Sequence, residues 1–345
     1  MTHQFTQAMP TLDNYWRSIV LFGQNTACYK FALAQVLLEK AETGVSEVPL
    51  NALAEVYADN ICQHLLISPV QGTNPTNSYL QTCRDYNLGK VERTKLIEAT
   101  NRTGFRYVFD AFHNISGGEL PITFFSIDKE AKRAVLHDEM LELVSLPQAQ
   151  SLISEVESRW SLVEASWRMK LNRNMVSVHY DATDAVFYED KMHRRNNITS
   201  AKSALNGYQK GHCFYCFSSI SINSGSNALA DVDHFIPHVM GKTLDGLNID
   251  GVWNLVLSCK DCNRGKGGKF DKIPNLELLH RLHQRNSYLI HSHHPLRETL
   301  ISQTGKTDAS RISFLQDVHS AVCLNKIHTW SPKTFGPSPF EGKTK

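Results

Sequence analysis

Four cysteines in this chain come as two Cys-x2-Cys pairs, Cys213/Cys216 and Cys259/Cys262. One tight turn of that spacing offers two sulfurs to one ion, and two such turns complete the tetrahedron that zinc prefers. A four-sulfur site leaves no position open for water, so its expected role is structural: Zn2+ clamps two distant stretches together. Between and beside the pairs run Asp231-Val232-Asp233-His234-Phe235-Ile236-Pro237-His238 and Asn254-Leu255-Val256-Leu257-Ser258, and Asn263 follows Cys262 directly. Hydrolysis of a phosphodiester needs an activated water, a neutralised phosphate and a stabilised leaving oxygen. A neutral histidine such as His234 can take the proton from water. A hard cation such as Mg2+ or Mn2+ can neutralise the phosphate and the leaving 3′ oxygen, and it asks for oxygen ligands of the kind Asp233 carries. Asn263 is placed to complete such a ligand set.

This run resembles the HNH (ββα-metal) endonuclease superfamily in its zinc-bearing, four-cysteine form. Asp233-His234, Asn254 and Asn263 match its motif in identity and order. The resemblance implies an Asp-His on the first strand of a hairpin, an asparagine in the connection, and a last metal-site residue on the following helix. It implies that His234 is the general base, Asp233 a ligand of the catalytic divalent cation, Asn254 a brace that makes His234 point correctly, and Asn263 the second ligand or its near partner. The last position is Asn where other members have His, which leaves the choice of ion open. The expected activity is cleavage of DNA, in restriction or anti-phage defence. A zinc-stabilised module that binds nucleic acid without cutting it, and an RNase or toxin, are the alternatives.

Weaker candidates surround this core. Arg264, Lys266 and Lys269 alternate with Gly265, Gly267 and Gly268, so the backbone could approach a phosphate while the cations neutralise it; a solvated helix end explains them equally well. Arg194 and Arg195 are further candidates for the DNA backbone. His238 reads as a surface histidine, and Phe214, Tyr215, Phe235 and Trp253 as core. His280, His283, His291, His293 and His294 have irregular spacing that fits no ligand motif.

The elements that must position these groups are harder to read. Net charge is only +2 over 345 residues, yet residues 191–285 carry 13 Lys/Arg against 7 Asp/Glu while the remainder is net negative. The excess positive charge around the cysteines suits a polyanion. No apolar stretch is long enough for a membrane span, the first ten residues lack an apolar segment, and paired cysteines read as zinc ligands; a cytoplasmic protein is expected. Residues 12–115 read as mostly helical: Leu12–Phe22 is apolar-rich, a helix runs from a cap at Asn25 to about Ala41, another from about Leu50 to Ile67, and residues 90–114 look helical again. Pro121–Ile127 and Lys132–His137 read as a hairpin, Pro147–Leu171 as a long helix, Ile198–Gln209 as a helix entering the first cysteine pair, and the stretch after 274 as a helix rich in Leu and His. The expected class is α+β: a mostly helical domain over 1–190 with a small hairpin, an HNH domain over 191–300, and an extension over 301–345 whose tail is mobile. The first domain carries no motif with chemistry. It is expected to choose the substrate, hold a regulator or partner protein, or form a homodimer.

Overall fold

The structure is a computed structural model that describes residues 10–23, 27–74, 77–115, 118–168, 179–181, 183–191, 194–242, 244, 247–291, 296–324 and 329–335. Two compact units divide the chain, one spanning 10–170 and the other 171–345. No helix among the described residues is long and apolar enough to cross a membrane.

The first unit is helical. It comprises α1 (Leu12–Phe22), α2 (Tyr29–Glu42), β1 (Glu47–Pro49), α3 (Leu50–Ile67), α4 (Ser78–Asn87), α5 (Arg93–Ala99) with a π-turn at Thr100–Gly104, and α6 (Val108–Ala111). After these come β2 (Asn114–Ile115), β3 (Gly118–Glu119), β4 (Phe125–Asp128), β5 (Arg133–Leu136), α7 (Asp138–Ser145) and α8 (Ala149–Arg168). Helix α2 is apolar almost all round, as a central helix must be: from Phe31 to Leu38 every residue is buried, and α3, α7 and α8 pack against it. The expected hairpin is β4–β5, and β1 joins its other edge to give the order β1-β5-β4. The cap expected at Asn25 lies outside the described residues, and α2 opens at Tyr29 after Cys28. The helix expected over 90–114 is broken, because the π-turn at Thr100 interrupts it.

The second unit begins with an antiparallel sheet of β6 (His179–Asp181), β7 (Val186–Lys191) and β8 (Arg194–Ser200), followed by α9 (Ala201–Gln209). One sequence expectation changes here. The helix expected from Ile198 starts at Ala201, because Ile198–Ser200 belong to β8, which pairs with β7. Strands β6 and β7 are hydrogen-bonded into that same sheet.

Next come β9 (Asp231–His234), β10 (Leu255–Ser258), α10 (Lys260–Arg264), β11 (Ile273–Pro274), α11 (Leu276–His291), α12 (Leu296–Thr304), α13 (Asp308–Cys323) and β12 (Thr329–Trp330). Strand β10 is buried at all four positions, which its unbroken run Leu-Val-Leu-Ser allows. On one side it pairs antiparallel with β9. On the other, Gln209 of α9 grips its backbone, accepting from Leu257 N at 2.8 Å and donating to Leu257 O at 2.9 Å. The segment beyond residue 300 is part of this unit: α13 packs on α11 and α12, and β12 pairs in parallel with β11. Residues 336–345, which include most of the expected mobile tail, lie outside the described residues.

Candidate active site

The four cysteine sulfurs all lie within 4.8 Å of one another, and no disulfide forms among them. Cys216 Sγ and Cys259 Sγ are 3.8 Å apart, the separation expected of two sulfurs held about 2.3 Å from one tetrahedral zinc. The thiols of Cys216 and Cys259 are pulled down, first by hydrogen bonding from Cys213. Burial holds Cys213 up, and the hydrogen bond to Cys213 holds Cys262 up. A cluster that already favours thiolate at two of its members fits zinc in both number and chemistry. Local structure presets it. Cys259 caps α10, its sulfur accepting from Cys262 N at 3.4 Å. Arg281 of α11 donates to the carbonyls of Phe214 and Tyr215 at 2.9 and 2.8 Å, with its guanidinium over the Phe217 ring at 4.1 Å.

The hairpin and α10 carry the polar residues. In β9 alternate side chains share a face, so Asp231 and Asp233 point to one side. Asp231 meets α10: Asn263 Nδ2 donates to its Oδ2 at 3.1 Å, and Arg264 pairs with it, also at 3.1 Å. Asp233 is 8% exposed and sits between two donors, the Tyr215 hydroxyl at 2.6 Å and the Lys269 ammonium at 3.3 Å. Burial raises its pKa, against the opposing pull of Lys269 first and then of Tyr215 and His234.

His234 ends the strand. Its Nε2 donates to Asp250 Oδ1 at 2.7 Å, and His238 approaches the same oxygen at 3.7 Å. The rings of Tyr180 and His238 meet that of His234 edge-on at centroid distances of 6.0 and 5.5 Å. Burial lowers the His234 pKa, outweighing the upward pull of Asp250 and Asp233, so the ring is neutral near pH 7. Burial, then the charges of Asp250 and Asp181, push the Tyr180 phenol up to about 12, so it stays a donor.

Asn254 has no exposed surface. Its Nδ2 donates to Ile236 O and Ile249 O, both at 2.9 Å, and its Oδ1 accepts from Ile236 N at 2.7 Å. One side chain thus ties the segment just after His234 to the segment just before Asp250.

The structure therefore gathers Asp233, His234, Asn254, Asn263 and the four cysteines around one hairpin and one short helix. Among the described residues, no three His, Cys, Asp or Glu side chains other than the cysteines converge as ligands. The oxygens of Asp233 and Asn263 are of the kind a magnesium-type ion takes. Lys269 corrects an expectation. It has no exposed surface, and its Nζ donates to His234 O at 2.9 Å and Phe270 O at 3.1 Å besides pairing with Asp233, so it is part of the site's interior and no surface contact for DNA. The glycines explain how it gets there. Gly267 has φ +86°, and a Cβ on Gly268 would lie 2.9 Å from Asp261 O and 3.1 Å from Asn263 O, so the chain after α10 folds back tightly against that helix. Lys266 is exposed, and Arg264 is exposed while paired with Asp231. The side chains of Arg194 and Arg195, and all of His293 and His294, lie outside what is described. Phe214, Tyr215, Phe235 and Trp253 are buried as expected, and His238 is exposed. Sequence reasoning missed Asp250, Tyr180 and the inward role of Lys269. Nothing about their spacing from the motif signals them, since loop closure alone brings them in.

A two-stranded antiparallel hairpin followed by a short helix, bound at its ends by a four-cysteine cluster, is the ββα architecture in its zinc-bearing form. Residues 213–270 match the family model described as HNH endonuclease, so this segment is an HNH module. No curated protein and no solved structure matches the chain.

Proposed function

We propose that the protein is a metal-dependent endonuclease that hydrolyses phosphodiester bonds of DNA, with His234 as general base. The observation that carries this reading is the hydrogen bond of His234 Nε2 to Asp250 within an HNH module. A donating Nε2 leaves Nδ1 as the proton acceptor, and burial keeps that acceptor free of a proton near neutral pH. Asp250 faces the positive charge that His234 acquires when it deprotonates water. Asn254 holds the backbone on both sides of this pair. Asp233 and Asn263 would hold a Mg2+- or Mn2+-type ion, which would supply charge neutralisation at the scissile phosphate and leaving oxygen. Tyr215 fixes the Asp233 carboxylate by donating to it, and in this reading the exposed Lys266 and Arg264 would contact phosphates. We further infer a cytoplasmic protein acting in restriction or anti-phage defence. In this reading the helical unit 10–170 selects the substrate or receives a partner.

The test is plasmid cleavage by the zinc-loaded protein with Mg2+ or Mn2+, wild type beside His234→Ala, with an RNA substrate in parallel. The wild type is expected to nick or linearise the plasmid, and the variant to lose at least about a hundredfold in rate. Cleavage of RNA alone, or of nothing, overturns the DNA reading; equal cutting by both proteins overturns the assignment of the base.

A further inference from the structure

Phe270 follows the buried Lys269 and holds a backbone conformation that a bulky side chain rarely adopts, φ +47°. Glycine or asparagine would make that turn without strain, and the same turn already uses glycine at 267 and 268. Strain of this kind persists where the surrounding structure enforces it, and it gathers at functional sites. Burial does not compensate for it here, since Phe270 is 53% exposed. The enforcing contacts run straight to the candidate active site. Phe270 N donates to Asn263 O at 2.9 Å, and Phe270 O accepts from Lys269 Nζ, the same ammonium that reaches His234 O and Asp233. The backbone that carries the ring is thus fixed to the scaffold of the site while the residue stays half exposed, on a turn that also displays Lys266 and follows Arg264, the last residue of α10, which is exposed and paired with Asp231. An exposed aromatic ring four positions after an exposed lysine, and beside the exposed Asp271, can meet the bases of nucleic acid, which accept stacking or an inserted apolar wedge while the lysine meets a phosphate.

We propose that Phe270 is a DNA-contacting wedge that packs against the base stack beside the scissile phosphate and sets the register of the strand in the site. This rests on the DNA endonuclease reading and adds a residue that decides how the duplex is held. The strained turn keeps the ring out of the core and presents it to the substrate.

The test compares wild type, Phe270→Gly and Phe270→Trp by thermal melting and by anisotropy with a short mixed-sequence DNA duplex in Ca2+. Glycine relieves the strain and removes the ring, so Phe270→Gly should melt at or above the wild-type temperature while binding roughly tenfold more weakly. Phe270→Trp should keep wild-type affinity. Undiminished binding by Phe270→Gly overturns the proposal, and so does a melting temperature well below wild type, which would make the ring a packing residue. If the wild type binds and cuts duplex DNA while Phe270→Gly is unaffected, only this inference fails. If the wild type binds no duplex DNA, the endonuclease reading fails with it.

Discussion

A lysine without exposed surface must find its counter-charge inside the protein, and Lys269 finds it in Asp233. By residue type it belongs with Arg264 and Lys266 as a phosphate contact; the turn through Gly267 and Gly268 sends it inward instead. The opposite happened at Asp250. It lies 16 positions from His234 and belongs to no periodic pattern, so only the folded loop, pinned through Asn254, reveals it. Residue types could point to Asp233, His234, Asn254 and Asn263, whereas the partners that tune them depend on which loops meet. The consequence is measurable. In Asp250→Ala the His234 ring loses the acceptor that fixes its tautomer and orientation, so kcat should fall roughly a hundredfold with KM little changed. Asp250→Asn, which keeps an acceptor oxygen, should fall between the two. Single-turnover cleavage kinetics read this directly, and a wild-type kcat in Asp250→Ala would remove the positioning role.

Among the elements, β9, β10 and α10 are individually too short to be stable alone. What holds them is the clamp at their ends: Cys213 and Cys216 before the hairpin, Cys259 and Cys262 at its far end, with Gln209 and Arg281 gripping the backbone from two helices. The spacing of the cysteines made the clamp visible in the sequence. The start of α9 was less visible, because Ile198–Ser200 fit a helical pattern locally and the pairing with β7 overrides it. If the clamp is structural, Cys259→Ser should bind less than one zinc per chain. It should also lower the melting temperature of the 171–345 unit by on the order of 10 °C, since it removes a ligand and weakens the cap of α10 together. Metal analysis alongside calorimetry would check this; full zinc occupancy in the variant would contradict a four-sulfur site.

At the scale of the whole chain, the two units carry different chemistry. The four-cysteine cluster and the candidate active site belong to 171–345, while the 10–170 unit keeps a buried charged network of its own. The imidazole of His64 lies flat on Trp160, 3.5 Å between centroids, with Glu164 at 2.7 Å from Nδ1 and Glu157 at 3.2 Å from Nε2. Gln71 binds Glu164, and Gln35 binds Glu157. Burial alone would lower the His64 pKa, but the hydrogen bonds and charges of Glu157 and Glu164 outweigh it and raise the value to about 9 from 6.5. The folded state therefore holds a proton that the unfolded state releases. That contribution, at most about 3 kcal/mol, is complete below pH 6.5 and is lost as pH rises through 9. Two other buried groups act in the opposite sense at higher pH. Burial lowers Lys30 to about 8 and Arg159 to about 9, so their cost to the folded state is relieved as the pH passes those values. From these three groups, stability should therefore fall between pH 6.5 and 8, level off between 8 and 9 as Lys30 releases its proton, and climb above 9 as Arg159 joins it. A comparison with His64→Gln isolates the effect, because Lys30 and Arg159 are common to both proteins. The difference in melting temperature of the 10–170 unit between wild type and variant should be largest near pH 6 and shrink steadily toward pH 9. A difference independent of pH would mean that His64 is neutral in the folded protein and that the two glutamates are balanced by other groups.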